Sequence, residues 1–319
     1  MIDLSRNEAR FGPPWEAIER VARQLPGRLN LYPEVVNREV LEKISARFAL
    51  PGEAAILTRG VDEAVDLVLA ACPERQIVLL RPEFVGFFER IRATGRDFRT
   101  VDFDPGWRFP ASLAAELGDR HLFLVSSPHN PSGEDFDPAA VRSIADRGCM
   151  VLLDRAYRDF ADAPDAHETP HPWMLRFYSF SKSYGLASQR IGVLVGPDAI
   201  LRVLRERQWF LPIDLFTLLL LDLAMTEDWR RENVRCTLDA RREFIRALQS
   251  EGFEARHSQA NFVLLREPLA EAMVRDLLEE GIRVAPTEPF GLPGHVRITI
   301  GTPEELQAVL TALRRRRKG

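Results

Sequence analysis

Between residues 54 and 196, short apolar runs alternate with longer amphipathic stretches. The runs at 54–57, 77–80, 122–125, 150–153, 177–180 and 191–195 are nearly continuous in apolar residues, as strands covered on both faces are. Between them, 62–71, 84–94 and 138–147 carry apolar residues at helical spacing. This alternation predicts a mostly parallel sheet between layers of helices, an α/β architecture. Ligands in such sheets bind beyond the carboxyl ends of the strands, so chemistry is expected in the loops there.

The pattern changes near residue 225. A polar, arginine-rich helix at 229–249 leads into strands at 261–265 and 296–300 and helices at 269–280 and 303–315, a smaller α+β unit. The opening segment is rich in Gly, Pro and Asn and reads as an arm wrapping the surface ahead of the first core helix. The expected organisation is an arm over 1–30, a large domain over 31–225 and a small domain over 226–319.

Composition narrows the function. A net charge of −4 and a pI near 6.0 give no electrostatic case for nucleic acid as partner. The basic run at 314–318 suits the negative end of a surface helix. Cys72, Cys149 and Cys236 are far apart and without CxxC spacing, which argues against a disulfide framework and against a zinc site. No metal is expected. The N-terminus lacks a basic-then-apolar leader pattern, and the most apolar stretch, 216–225, is too short to span a bilayer. A soluble cytoplasmic protein with no membrane partner is the expectation.

Against this background one residue type is scarce. The chain has 43 Lys plus Arg, but Lys43, Lys182 and Lys318 are its only lysines. Lys182 follows a strand within Ser-Phe-Ser-Lys-Ser-Tyr-Gly. Arginine there would keep its charge, whereas lysine can lose a proton and act as an amine nucleophile. The other strand ends supply partners. Gly60, Val61 and Asp62 open a helix, where backbone amides suit a phosphate. Phe84 follows a strand, either as a core aromatic or as a stacking platform at the strand end. Asn130 sits in a loop stiffened by Pro128, Pro131 and Gly133. Asp154 ends a buried strand, with Tyr157 just beyond it. Ser179 and Arg190 flank the lysine. His129 has no second His or Cys near it in sequence and is set aside as a ligand. An amine, a carboxylate, a phenol, an amide, an arginine and a helix start at the ends of one sheet suit pyridoxal 5'-phosphate.

The segments Asn130-Pro131-Ser132-Gly133, Asp154-Arg155-Ala156-Tyr157, Ser179-Phe180-Ser181-Lys182-Ser183-Tyr184-Gly185 through Arg190, and Val296-Arg297-Ile298 resemble the class I/II aminotransferases of fold type I. Within that family, Asn7-Glu8, Gly12-Pro13-Pro14, Leu31-Tyr32-Pro33 and Ala260-Asn261-Phe262 look like the histidinol-phosphate aminotransferases. The resemblance implies a seven-stranded, mostly parallel sheet with a small α+β domain. It implies that Lys182 holds pyridoxal phosphate as a Schiff base and that Asp154 pairs with the ring nitrogen. Asn130 and Tyr157 would bond the ring hydroxyl, and Phe84 would stack on the ring. The amides of Gly60, Val61 and Asp62, with Ser179 and Arg190, would hold the phosphate. Arg297 would grip the substrate carboxylate, with Asn7 beside the substrate. Tyr32 would reach the phosphate of a neighbouring subunit, which implies a homodimer.

The implied reaction moves an amino group between an amino acid, or an amine derived from one, and a 2-oxo acid. A decarboxylase, lyase, cyclase or oxidase on the same scaffold, such as a threonine-phosphate decarboxylase, is the alternative, because cofactor residues do not decide which α-bond breaks. The sequence departs from the family at Arg155, Ser188, Val61, Ala9-Arg10 and Ala285. The last stands where histidinol-phosphate aminotransferases have an arginine for the substrate phosphate, and it argues against a phosphorylated substrate.

Overall fold

The structure, a computed structural model, describes every residue except Ala111, residues 163–168, Glu227 and Gly319. Thirteen strands occur among the described residues. After the short β1 (Ile2–Asp3), they are β2 (Glu53–Thr58), β3 (Gln76–Arg81), β4 (Phe98–Asp102), β5 (His121–Ser126), β6 (Met150–Asp154), β7 (Met174–Ser179) and β8 (Gly192–Pro197). Then come β9 (Glu254–Ala255), β10 (Phe262–Arg266), β11 (Ile282–Arg283), β12 (Ala285–Pro286) and β13 (His295–Thr299).

Strands β2 to β8 form one seven-stranded sheet in the order β2-β8-β7-β6-β5-β3-β4. All neighbours are parallel except β8, which runs against both β2 and β7. The sheet is covered on both faces, as the continuous apolar runs require. Ile77, Leu79, Leu122, Leu124 and Leu152 pack with the helices Gly60–Ala71 and Val85–Ala93. The alternate residues Val78, Leu80, Phe123, Val125 and Val151 pack with the helix Pro138–Ala145 on the opposite face.

The seventh strand, β4, had no apolar signature. It reads Phe-Arg-Thr-Val-Asp, lies at the sheet edge and is only partly buried. The predicted strand at 177–180 is displaced toward its N-terminus, to Met174–Ser179, because Met174 and Leu175 reach the core and the chain leaves the sheet before Phe180. The arm is also more ordered than a surface wrap. It holds the helix Trp15–Ala22, whose Ala17 and Val21 are fully buried beneath the sheet.

The smaller antiparallel sheet has the order β12-β13-β10-β9 and its own apolar core, in which Val263, Leu265, Val296 and Ile298 are fully buried. The arm is strapped onto this part by β1, which pairs with β11 at Ile2–Ile282 and Asp3–Arg283. The C-terminal helix Pro303–Lys318 carries the basic run. Its Arg314, Arg315 and Arg316 pair with Glu251, Glu280 and Asp276, while the Lys318 side chain lies outside the described residues. Among the described residues no helix is long and apolar enough to cross a membrane.

Candidate active site

Five strand ends and the arm converge on a cleft of about 300 Å³. Every residue expected to touch cofactor or substrate lines it, with the exception of Tyr32. Tyr32 lies at the surface, 78% exposed, with its ring edge-on to Phe210.

Asp154 is the last residue of β6, beside Ser126 of β5 and Phe177 of β7. Its side chain is buried, and Oδ1 accepts the Ala156 N–H at 2.8 Å. Burial pushes the carboxyl up to about 7, against the opposing pull of that donor and of Lys182.

Lys182 follows β7 in a loop pinned from both sides. Ser179 Oγ accepts the Ser181 N–H at 3.1 Å. From the helix Trp229–Ser250, Asn233 Nδ2 donates to Ser183 O at 2.8 Å and Trp229 Nε1 donates to Tyr184 O at 3.0 Å. Gly185 has φ +68°, and a Cβ there would lie 2.4 Å from Phe11 O, so the loop and the arm touch backbone to backbone. Lys182 Nζ donates to Arg6 O at 3.1 Å. Burial first, and then the Arg297 cation, bring its amine down to about 8.

Tyr157 is buried, its Oη accepts Asn7 Nδ2 at 2.9 Å, and its ring centre lies 5.9 Å from Lys182 Nζ. Asn7 adopts φ 54° and is locked by Thr299, whose Oγ1 accepts the Asn7 N–H at 2.9 Å. Asn130 Oδ1 accepts Arg297 Nη1 at 2.6 Å, and Arg297 Nη2 donates to Ser5 O at 2.7 Å. The Arg297 guanidinium sits 4.9 Å from the Phe290 ring centre and 5.3 Å from that of Phe262. Ala285 is opposite Arg297 in the β12–β13 pair and is buried.

At the other end of the cleft, Gly60 opens the helix Gly60–Ala71 with φ +69°. The left-handed φ favours glycine here, and a Cβ on Gly60 would stand 3.0 Å from Arg190 Nη2. Arg190 Nη2 donates to Asp62 Oδ2 at 3.2 Å. A helix start, an arginine and the Ser179 hydroxyl together make an anion cradle.

Sequence reasoning missed Glu83 and Ser126, which lie behind the cleft, and Asn233, which pins the lysine loop from a distant helix. None carries a motif. Arg155 turns away from the cleft. Its Nη1 donates to Ser127 O at 2.6 Å and pairs with Asp135 at 3.1 Å. His129 is fully buried, and its ring nitrogens lie 2.7 Å from Ser132 Oγ and 3.1 Å from Pro82 O.

The cleft fits pyridoxal phosphate on its own terms. It has an amine of lowered basicity, a buried carboxylate short of donors, ring-edge hydrogen-bonding groups and an anion cradle at the opposite end. The histidinol-phosphate aminotransferase of Symbiobacterium thermophilum is 29% identical over 98% of this chain and 90% of its own length. The histidinol-phosphate aminotransferase of Sinorhizobium meliloti, solved with pyridoxal-5'-phosphate, superposes with a TM-score of 0.85 at 20% identity, covering 100% of this chain and 92% of that one. The L-threonine-O-3-phosphate decarboxylase of Porphyromonas gingivalis shares the fold with a TM-score of 0.80 at 20% identity over 100% of both chains. The family model described as aminotransferase class I and II matches residues 1–313. The chain belongs to that family, with the type I fold and pyridoxal 5'-phosphate as its cofactor.

Proposed function

We propose that this aminotransferase exchanges an amino group between an unphosphorylated α-amino acid and a 2-oxo acid, with Lys182 as the amine that holds the cofactor and carries the proton. The observation behind this reading is the convergence of Lys182, Asp154, Asn130, Tyr157, Arg190 and Arg297 on one cleft. When bound, pyridoxal phosphate supplies an aldehyde for amine capture and a ring that withdraws electrons from a breaking α-bond.

The chain's residues do the rest. Lys182, with its amine near pKa 8, takes the α-proton as a base and returns it as an acid. Asp154 would pair with the ring nitrogen. A cation there draws its raised pKa back down and keeps it anionic. Asn130 and Tyr157 hold the ring oxygen, with Asn7 aiming the Tyr157 hydroxyl. Phe84 covers one ring face. The amides of Gly60, Val61 and Asp62, with Ser179 and Arg190, hold the phosphate. Arg297 grips the substrate carboxylate through the guanidinium hydrogens not used by Asn130 and Ser5. Ala285 places no cation beside Arg297, which favours an amino acid over a phosphorylated amine.

The same proposal includes a homodimer in which Tyr32 crosses into the other subunit's phosphate cradle. Tyr32, Trp209 and Phe210 are 78%, 83% and 71% exposed, and an apolar surface of this kind suits a partner. Three free cysteines support a reducing, cytoplasmic setting. The domain division at 31–225 and 226–319 is part of the proposal too.

The test is a panel of amino donors added to the cofactor-loaded protein. Stoichiometric oxo acid without carbon dioxide is expected from a carboxylate donor, and none from Lys182→Ala. Carbon dioxide release would move the reading to a decarboxylase. A response to histidinol phosphate alone would overturn the argument from Ala285.

A further inference from the structure

Glu83 is a fully buried carboxyl that no step above uses. It follows β3, and its Oε1 accepts the Phe84 N–H at 2.8 Å. It also reaches the end of β5, where Oε2 accepts the Ser126 N–H at 3.1 Å and Oε1 meets the Ser126 hydroxyl. Ser126 Oγ in turn accepts the Asn130 N–H at 3.1 Å. One side chain therefore ties the loop of the ring-face residue Phe84 to the loop of the ring-edge residue Asn130, whose amide aims Arg297.

Two further features narrow this junction. His129 Nε2 lies 3.1 Å from Pro82 O, a pure acceptor, so Nε2 carries the proton and Nδ1 accepts the Ser132 hydroxyl at 2.7 Å. Burial brings His129 down to about 3, so it is a neutral stitch between the same two loops. Behind the ring of Phe84, a Cβ on Gly86 would stand 2.5 Å from Phe84 Cε1, so Gly86 makes room for the ring where it lies.

We propose that Glu83 is a positioning residue that sets the geometry of Phe84 and Asn130 around the cofactor through Ser126. The inference rests on the reading that these two residues touch the ring. Burial pushes the Glu83 carboxyl up to about 8, opposed by its three donors, with the neighbouring Asp154 adding a smaller upward push. The bridge survives either protonation state. The anion accepts all three donors. The neutral acid donates to Ser126 Oγ while accepting the Ser126 N–H. Glutamine keeps the two Ser126 contacts of the second pattern, its NH₂ donating to Ser126 Oγ and its oxygen accepting the Ser126 N–H, but that NH₂ cannot accept the Phe84 N–H. Alanine leaves buried N–H groups unpaired.

The experiment compares cofactor-loaded wild type with Glu83→Gln, Glu83→Ala and Ser126→Ala. It reads the visible circular dichroism of bound pyridoxal phosphate, its dissociation constant and the thermal midpoint of the cofactor-free protein. Glu83→Gln is expected to keep the Ser126–Asn130 link and lose only the Phe84 bond, giving a dichroic band and an affinity between those of wild type and Glu83→Ala. Glu83→Ala and Ser126→Ala are expected to lose about tenfold in affinity, one lost buried hydrogen bond, and to shrink the band. Ser126→Ala keeps the test open if Glu83→Ala does not fold. Wild-type band and affinity in both truncations, whatever their thermal midpoints, would overturn the proposal alone. Failure of the wild type to form any band would overturn it together with the cofactor reading.

Discussion

Mixing cofactor-free protein with pyridoxal phosphate reads the ionisation of Lys182, because only a neutral amine attacks the aldehyde. An ordinary lysine with a pKa of 10.5 is about 0.03% neutral at pH 7, whereas one near 8 is about 10% neutral, a gain of roughly 300-fold. The capture rate, followed by stopped-flow absorbance, should climb tenfold per pH unit up to about 8 and then level. Lys182→Ala should show no fast phase. Two substitutions test the causes of the shift. Arg297→Leu removes the largest contribution after burial, so the bend should move up, yet stay below 10.5 because burial persists. Asp154→Asn removes an anion that favours the charged amine, so the bend should move down. A wild-type rate that keeps unit slope beyond pH 9 would refute the argument that the pocket lowers this amine. So would two variants whose bends move in the same direction.

Gly60→Ala combines a left-handed backbone with a Cβ pressed against Arg190, so it should weaken cofactor binding by about tenfold, measured by fluorescence titration. Asp154 has a folded-state pKa raised to about 7 from 3.8, so its stabilising contribution to the cofactor-free protein is complete below about 3.8 and is lost as pH rises to about 7. Asp154→Asn should remove that slope and be more stable than wild type at pH 8 without cofactor, by up to about 4 kcal/mol in denaturant titrations, while binding cofactor less well. If Tyr32 acts across a dimer, mixing inactive Tyr32→Ala and Lys182→Ala subunits should restore about a quarter of full activity, since half the dimers are mixed and each has one intact site. No recovery from a mixture of verified heterodimers would place Tyr32 outside the partner's site.

What the chain made legible follows from how each group is held. Asp154 and Gly60 sit at or just past the ends of strands with continuous apolar runs, so locating those strands located the residues, whereas Lys182 was found by its own loop, since β7 is broken by Arg176. Strand β4 escaped because an edge strand needs only partial burial, and Phe-Arg-Thr-Val-Asp carries no continuous apolar run. Glu83 and Ser126 escaped for a different reason. Their contact joins two loops that are far apart in sequence and adjacent only because β3 and β5 pair. Asn233 acts from the middle of a polar helix, where nothing separates it from surface asparagines until the helix is packed on the lysine loop.

The same reasoning explains why the chemistry was easier to read than the substrate. The cofactor side of the cleft stands on one sheet, where β5, β6 and β7 are hydrogen-bonded neighbours. Its groups hold fixed separations, so their residue types appear as compact motifs. The substrate side is assembled from three other sources: the arm through Ser5, Arg6 and Asn7, strand β13 through Arg297, and the short turn carrying Phe290. These come together because β1 pairs with β11 and because Thr299 locks Asn7. Arg297 reaches across this seam to Asn130, so on the proposed role of Arg297 a bound carboxylate would be read by both halves at once. Donor selectivity should therefore respond to substitutions in the arm that leave cofactor absorbance unchanged. Arg6 is the clearest place to look, since its carbonyl already meets Lys182 and its exposed side chain borders the cleft. Arg6→Ala should change relative KM values among donors while leaving the visible spectrum of the bound cofactor as in wild type. A variant that altered the spectrum and left the donor ranking intact would place the arm on the cofactor side instead.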